Sequence, residues 1–436
     1  MSKFYSLLNY GCQMNESDGE HYSGQLQELG YQYVADFHKA DFILVNTCCV
    51  RESAEKRIAG KIGELKAVKV ANPHVIIAVA GCMAQKEGEK LLQKYPQIDL
   101  VLGTSYVDDF KNILANYRRR AAFLDLTVRP KEFEGTKVRK SSFHAWIPIM
   151  YGCNNFCTYC IVPYVRGRER SRKKENILAE VRQGVSQGYK EFTLLGQNVD
   201  SYGKEFGVPD AFADLLSAVD AIPGVERLHY MTSHPRDISD AVIGAVAKGR
   251  HISEHFHLPV QSGSNEILRR MNRGYTREHY LELIRKIRLA VPQAVITTDI
   301  IVGFPGETEE DFQGTLDLVR EVGFDSAFTF IYSKRSGTPA AKMENQIPLD
   351  VKKQRLQRLM DLENINSLAC NEKMVGREYS VFAEGPTKNR DIWSGRTSAN
   401  KLVLWPAEGR TYKPGDEVQV LVEKAQTWLV KGKAKQ

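Results

Sequence analysis

The sequence has no run of about 18 apolar residues, the least that a membrane-crossing helix needs, so no transmembrane helix is expected. Met1 to Tyr10 carry neither a charged start nor a long apolar stretch nor a cleavage site, so a secretory leader is not expected either. The chain reads as cytoplasmic, without a membrane partner. Thiols stay reduced in that compartment, and eight cysteines then point to metal or catalysis and not to disulfides. No charge of one sign dominates: 60 Lys and Arg face 53 Asp and Glu, a formal +7. That mild excess is compatible with an acidic partner such as RNA, and equally with none. What is present is size and core. The 436 residues, 42% hydrophobic, suffice for two or three domains that need no staples.

Patterning predicts an α/β chain in three parts. Residues 1–118 repeat one unit, an apolar run ending at Gly-Cys or Thr-Cys followed by a helical stretch. The runs Phe4–Leu8, Phe42–Val45 and Val75–Val79 precede Cys12, Cys48 and Cys82, and a shorter unit begins at Leu100. This is the signature of a doubly wound parallel sheet. An Arg-Arg-Arg run, Arg118–Arg120, leads into residues 119–142, which with Pro130 and Gly135 read as a linker. Residues 143–370 give six strand–helix units, a partial (βα)6 barrel. Residues 371–436 shift to short strand-like runs, Glu378–Ala383, Leu402–Trp405, Val418–Val422 and Trp428–Val430, a small all-β barrel with a net charge of +4.

Two cysteine sets carry the chemistry. Cys153, Cys157 and Cys160 form C-x3-C-x2-C on the loop after the first barrel strand. Three such thiolates can hold three irons of a cubane cluster and leave the fourth open to a substrate. No fourth Cys or His follows within the loop, as zinc would require. The alternatives are a zinc loop completed from afar, or three unconnected thiols. Cys12, Cys48 and Cys82 lie 36 and 34 residues apart, each just past a strand end. Parallel strands bring all three to one carboxyl edge, where open α/β sheets bind ligands. The competing reading is three buried structural cysteines. Cys49, adjacent to Cys48, is expected to point elsewhere, and Cys370 lies on a charged helix.

Polar and Gly-rich clusters recur where barrel strands end, the usual place for catalytic groups. From these Gln197, Asn198, Ser233, Gln261 and Gly303 are candidate cofactor contacts, with Tyr159 inside the cysteine loop. Arg166, Arg168, Arg170 and Arg172 follow that loop and suit RNA phosphates. Lys388, Arg390, Arg396 and Lys401 lie near Trp393 and Trp405, a mixture that suits unpaired bases. A solvated charged loop and a tryptophan core are the plainer alternatives.

The compact motif resembles the radical S-adenosylmethionine (SAM) superfamily. Tyr-Gly-Cys-Gln-Met-Asn, Asn-Thr-Cys-Cys-Val-Arg-Glu and Gly-Cys-Met-Ala-Gln resemble the methylthiotransferase family, and within it the MiaB-type branch. Cys-Ile-Val-Pro-Tyr-Val-Arg-Gly-Arg-Glu-Arg-Ser-Arg also resembles that branch, and the C-terminal module resembles its TRAM domain. The resemblance implies two 4Fe-4S clusters, a radical-generating one on Cys153, Cys157 and Cys160 and an auxiliary sulfur-transfer one on Cys12, Cys48 and Cys82. It implies two SAM per turnover and a tRNA anticodon stem-loop as partner. It also implies an electron donor such as flavodoxin or ferredoxin, and a monomer. The implied reaction removes hydrogen from carbon 2 of isopentenyladenosine at position 37 and installs a methylthio group. Alternatives are threonylcarbamoyladenosine as substrate, or a non-catalytic iron–sulfur protein that binds RNA.

Overall fold

The computed structural model describes residues 3–49, 52–127 and 135–435; Val50, Arg51 and Pro130 of the sequence reading lie outside them. The chain divides into two compact units that interleave in sequence. The first holds residues 1–140, 146–154 and 160–172, the second 141–145, 155–159 and 173–436.

In the first unit, strands β1 (Lys3–Asn9), β2 (Tyr31–Tyr33), β3 (Phe42–Thr47), β4 (Ile76–Gly81), β5 (Leu100–Leu102) and β6 (Ala121–Phe123) form one parallel sheet in the order β2-β1-β3-β4-β5-β6. Helices α1 (Gln13–Glu28), α2 (Glu52–Ala71), α3 (Cys82–Glu87), α4 (Lys90–Lys94) and α5 (Phe110–Ala115) connect them. Strand β3, Phe-Ile-Leu-Val-Asn-Thr, is buried throughout, as a central parallel strand must be. Alternate side chains feed two cores. Ile43, Val45, Ile77 and Val79 pack on one face, and Phe42, Leu44, Ala78 and Ala80 on the other. The doubly wound sheet is thus as expected, with two edge strands that short polar-flanked runs concealed. One of them, β6, falls in the stretch read as linker.

The second unit contains a barrel and a module. Strands β7 (His144–Pro148), β8 (Met150–Tyr151), β9 (Arg170–Ser171), β10 (Glu191–Leu195), β11 (Arg227–Tyr230), β12 (His255–His257), β13 (Val295–Val302) and β14 (Ser326–Ile331) follow in chain order, β8 and β9 pairing within the first unit and β7 running from the second into the first. The helices are α6 (Val162–Val165, first unit), α7 (Lys174–Ser186), α8 (Ala211–Asp220), α9 (Asp240–Lys248), α10 (Asn265–Arg270), α11 (Arg277–Ala290), α12 (Glu309–Val322) and α13 (Leu349–Glu372). The barrel strands form sheets β11-β10-β7 and β12-β13-β14, with β10–β11, β12–β13 and β13–β14 parallel, and a bridge joins Leu228 to Ile252. Strand β12 is only three residues long, and Pro259, two residues past its end, has no N–H for a ladder.

Strands β15 (Glu378–Pro386), β16 (Ile392–Thr397), β17 (Leu402–Pro406), β18 (Glu417–Ala425) and β19 (Val430–Ala434) close a barrel in the order β15-β16-β17-β19-β18. Trp393 and Trp405 face each other across β16 and β17, and both are buried. Trp428, expected in a strand, lies outside one and is 62% exposed.

Candidate functional site

Cys12 and Cys82 each follow a left-handed glycine just past a strand end, and Cys48 follows β3 directly. Gly11 precedes Cys12, with φ +145°, and a Cβ on it would stand 2.7 Å from Cys48 Cβ. Gly81 precedes Cys82 at φ +91°, where a Cβ would stand 2.4 Å from the Thr47 carbonyl oxygen. Only glycine lets the three strand ends close up this far. Polar side chains then lock them. Asn15 Nδ2 donates to the Thr47 carbonyl at 2.9 Å, and Asn46 Nδ2 to Asn9 Oδ1 and to the Asn15 carbonyl, both at 2.8 Å. Thr47 Oγ1 donates to the Ala80 carbonyl.

Cys12 caps the N-terminus of α1, and its thiol lies 3.4 Å from Asn15 Oδ1. A hydrogen bond with Cys48 is the main cause that lowers its pKa to about 6, with help from the Arg166 guanidinium. Cys82 is lowered to about 7, chiefly by a hydrogen bond with Cys49 and then by Arg166. Thiolate is the form that ligates metal. Cys49 therefore does not point elsewhere. It is buried and packs with Cys82, Ile161 and Val165, a fourth thiol at the site.

Arg166 also departs from expectation. It is buried, and its Nη2 donates to Asp18 Oδ2 at 2.9 Å. Arg172 is likewise buried and donates to the Pro148 carbonyl at 2.6 Å. Lys401 is bound to Asp325 and to Asn371 Oδ1, both at 3.0 Å. Burial of the two arginines, and the partners of half-buried Lys401, take all three out of the expected RNA surface. Arg396 is half-buried and paired with Glu384 at 3.0 Å, and Arg170 is half-buried in β9. Arg168, Lys388 and Arg390 are exposed.

The compact motif lies on a loop shared by the units, with Cys153 and Cys160 in the first and Cys157 in the second. Gly152 starts it at φ +76°; a Cβ there would stand 2.1 Å from the Arg168 carbonyl oxygen. Within the second unit Thr158 N–H donates to the Met271 carbonyl, and Arg273 Nη1 reaches Cys157 Sγ at 3.4 Å and the Tyr159 hydroxyl at 3.3 Å.

Past the ends of β10 and β12, Gln197 Oε1, Asn198 Oδ1 and Gln261 Oε1 are buried with no hydrogen-bond partner. Asn198 is held by donating Nδ2 to Asp237 at 2.7 Å. Ser233 Oγ faces Asp200, whose carboxyl burial pushes up to about 7. Gly303, at φ +71°, donates its N–H to Glu307 Oε1 at 2.8 Å. Such open acceptors can be met by the donors of a ligand or of water. Sequence reading missed Asp200, Asp237 and Arg273, which have no motif of their own; His234, named only within a polar cluster, holds a buried Nε2 without a partner.

Among the described residues no three ligand side chains surround a single-ion position. A cubane cluster spreads its thiolates over several irons, so a cluster site need not have that form. The glycine turns, two lowered thiols and the open acceptors fit 4Fe-4S and SAM chemistry in donor type.

Comparison with known proteins agrees. Residues 147–319 match the Radical SAM superfamily, residues 5–103 Uncharacterized protein family UPF0004, and residues 372–435 the TRAM domain. Radical SAM proteins use a 4Fe-4S cluster and SAM. The chain is 52% identical to the tRNA-2-methylthio-N(6)-dimethylallyladenosine synthase of Desulforamulus reducens, covering 99% of this chain and 95% of that one. The enzyme of the same name from Moorella thermoacetica is 50% identical, with 99% and 98% covered. In fold, the chain is similar to the radical SAM methyltransferase TsrM from Kitasatospora setae, at TM-score 0.57, 14% identity, and 78% and 75% coverage. With half its residues shared over nearly its whole length, the chain belongs to the family of tRNA-2-methylthio-N(6)-dimethylallyladenosine synthases, which are radical SAM methylthiotransferases.

Proposed function

We propose that this chain methylthiolates carbon 2 of isopentenyladenosine at position 37 of tRNA, consuming two SAM per turnover. Cys153, Cys157 and Cys160 hold the radical-generating cluster, and Cys12, Cys48 and Cys82 hold a second, sulfur-donating one. When bound, these groups and SAM supply a hydrogen-abstracting radical and a sulfur source. The carbon-2 hydrogen is too weakly acidic for a side-chain base tuned near neutral pH, so radical chemistry is required. The observation that carries the two-cluster reading is the second thiol site itself. Glycine turns and an asparagine lock gather it, and the buried Arg166 beside it is a cation that radical generation alone does not call for.

The chain's own residues do the rest. The unpartnered oxygens of Gln197, Asn198 and Gln261 accept from the amino and hydroxyl groups of SAM. Tyr159, Ser233 and Gly303 line the same strand-end region. Arg168, Lys388 and Arg390 meet phosphates of the anticodon stem-loop, and the exposed Trp428 ring offers a stacking surface for an unpaired base. A one-electron donor of flavodoxin or ferredoxin type reduces a monomeric, cytoplasmic enzyme.

Anaerobic reconstitution followed by iron and sulfide counting tests the cluster assignment. Eight irons are expected per chain, and Cys12→Ala should leave about four. Retention of all iron when Cys12, Cys48 and Cys82 are replaced together sinks the two-cluster reading. Nucleoside mass spectrometry of tRNA from a deletion strain should show loss of the methylthio-isopentenyl base; loss of the methylthio-threonylcarbamoyl base instead would reassign the substrate.

A further inference from the structure

Arg273 is 4% exposed, and its guanidinium is held on three sides. Nη2 donates to the Pro259 carbonyl at 2.6 Å, Nε to the Tyr275 hydroxyl at 3.1 Å, and Nη1 to Cys157 Sγ at 3.4 Å and the Tyr159 hydroxyl at 3.3 Å. Among the described residues no carboxylate forms an ion pair with it. Two other buried arginines have a carboxylate: Arg166 has Asp18 at 2.9 Å, and Arg355 has Glu307 at 2.7 Å. A buried cation without an anion is costly, so proteins pair such charges. A carbonyl and two phenols satisfy its N–H groups but not its charge. Of the three ionisable groups within reach, the Tyr159 and Tyr275 phenols and the Cys157 thiol, the thiol is the one that iron ligation turns into an anion.

The same turn splints the cysteine loop. Asn272, at φ +57°, donates Nδ2 to the Asn155 carbonyl at 3.1 Å and the Phe156 carbonyl at 3.2 Å. Tyr275 donates its hydroxyl to the Val260 carbonyl at 2.9 Å, which fixes the ring that orients the guanidinium. A neutral loop tie would need only the asparagine. A charged fork beside a cluster ligand does something further.

We propose that Arg273 is the resident counter-cation of the radical-generating cluster and sets its reduction potential through Cys157. The proposal rests on the reading that Cys157 is an iron ligand. Reduction adds one electron, and so one negative charge, to a cluster with its thiolates. A fixed cation and an N–H···S bond stabilise the reduced form more than the oxidised one and raise the potential. That brings the cluster within range of a one-electron donor of flavodoxin class. Arg273 is a positioning residue that acts through Cys157.

The test is an EPR-monitored redox titration of reconstituted full-length protein, following the signal that added SAM perturbs. Arg273→Met is expected to keep its iron while the ratio of reduced to oxidised cluster at fixed potential falls about tenfold, equivalent to about 59 mV for a one-electron couple. Arg273→Lys, which keeps the charge and loses the fork, should fall between. An unchanged ratio in either variant that retains iron overturns the proposal. Loss of iron from both also overturns it, by making Arg273 a structural tie. Failure of the underlying reading looks different: wild-type protein would lack a SAM-perturbed signal, or Cys157→Ala would keep it.

Discussion

At the scale of single residues, a side chain's partner decides its role more than its type does. Cys48 and Cys49 are chemically identical neighbours, yet one meets Cys12 and the other meets Cys82. Sequence spacing revealed the strand ends at Cys12, Cys48 and Cys82. It could not reveal that a buried Cys49 joins them, because the direction of one side chain at a turn has no periodic signal. Arg166 was misread for a similar reason. A run rich in arginine looks like a solvated lip, and only the packing shows Asp18 against it. Glu363 on α13 gives a pH-dependent consequence. It is 1% exposed, and burial raises its carboxyl to about 8 from an ordinary 4.5. The folded state thus binds a proton that the unfolded chain releases above about pH 4.5. Stability therefore falls as pH rises from there towards 8. Glu363→Gln should remove this penalty, raising stability by about 2 kcal/mol at pH 8 and by less than about 1 kcal/mol at pH 5. Urea unfolding at the two pH values checks it, and an equal effect at both is the adverse result.

At the scale of elements, alternation of apolar residues made most strands legible, and its absence hid the others. β16, Ile-Trp-Ser-Gly-Arg-Thr, carries three polar residues and a glycine and reads as loop. The barrel closes there because β15 and β17 flank it and Trp393 packs on Trp405. Tertiary pairing overrides weak strand propensity at such positions. The junction of α/β barrel and β module was not legible either. Arg227, the first residue of β11, is buried and donates to the Arg396 carbonyl at 2.7 Å and the Ser380 carbonyl at 3.0 Å. Its guanidinium stacks 3.7 Å from the Phe382 ring centroid. Arg227→Ala is expected to cost about 3 kcal/mol, and Arg227→Lys should recover little of it, since one ammonium cannot reproduce a stacked fork. Denaturant unfolding monitored by tryptophan fluorescence would register both, and full rescue by lysine would refute the geometry.

At the scale of the whole molecule, charge is distributed unequally between structure and surface. The +7 balance is compatible with RNA binding and equally with none, and several of the cations counted toward it are internal. Lys388→Ala and Arg390→Ala should each weaken anticodon stem-loop binding about equally across sequences, and each should reduce the slope of log affinity against log salt by about 1. Arg172→Ala and Lys401→Ala should lower stability and leave that slope unchanged. Filter binding across a salt series separates the two classes. The interleaving of the units has a consequence for inheritance. Residues 160–172 belong to the first unit and bring it Arg166, Ile161 and Val165, although they lie after the first barrel strand in the chain. A gene split or fusion anywhere in the stretch read as linker would strand that unit without its internal cation. The N-terminal sheet is therefore poor material for domain shuffling, and its descent should track that of the barrel, with no independent history of recombination.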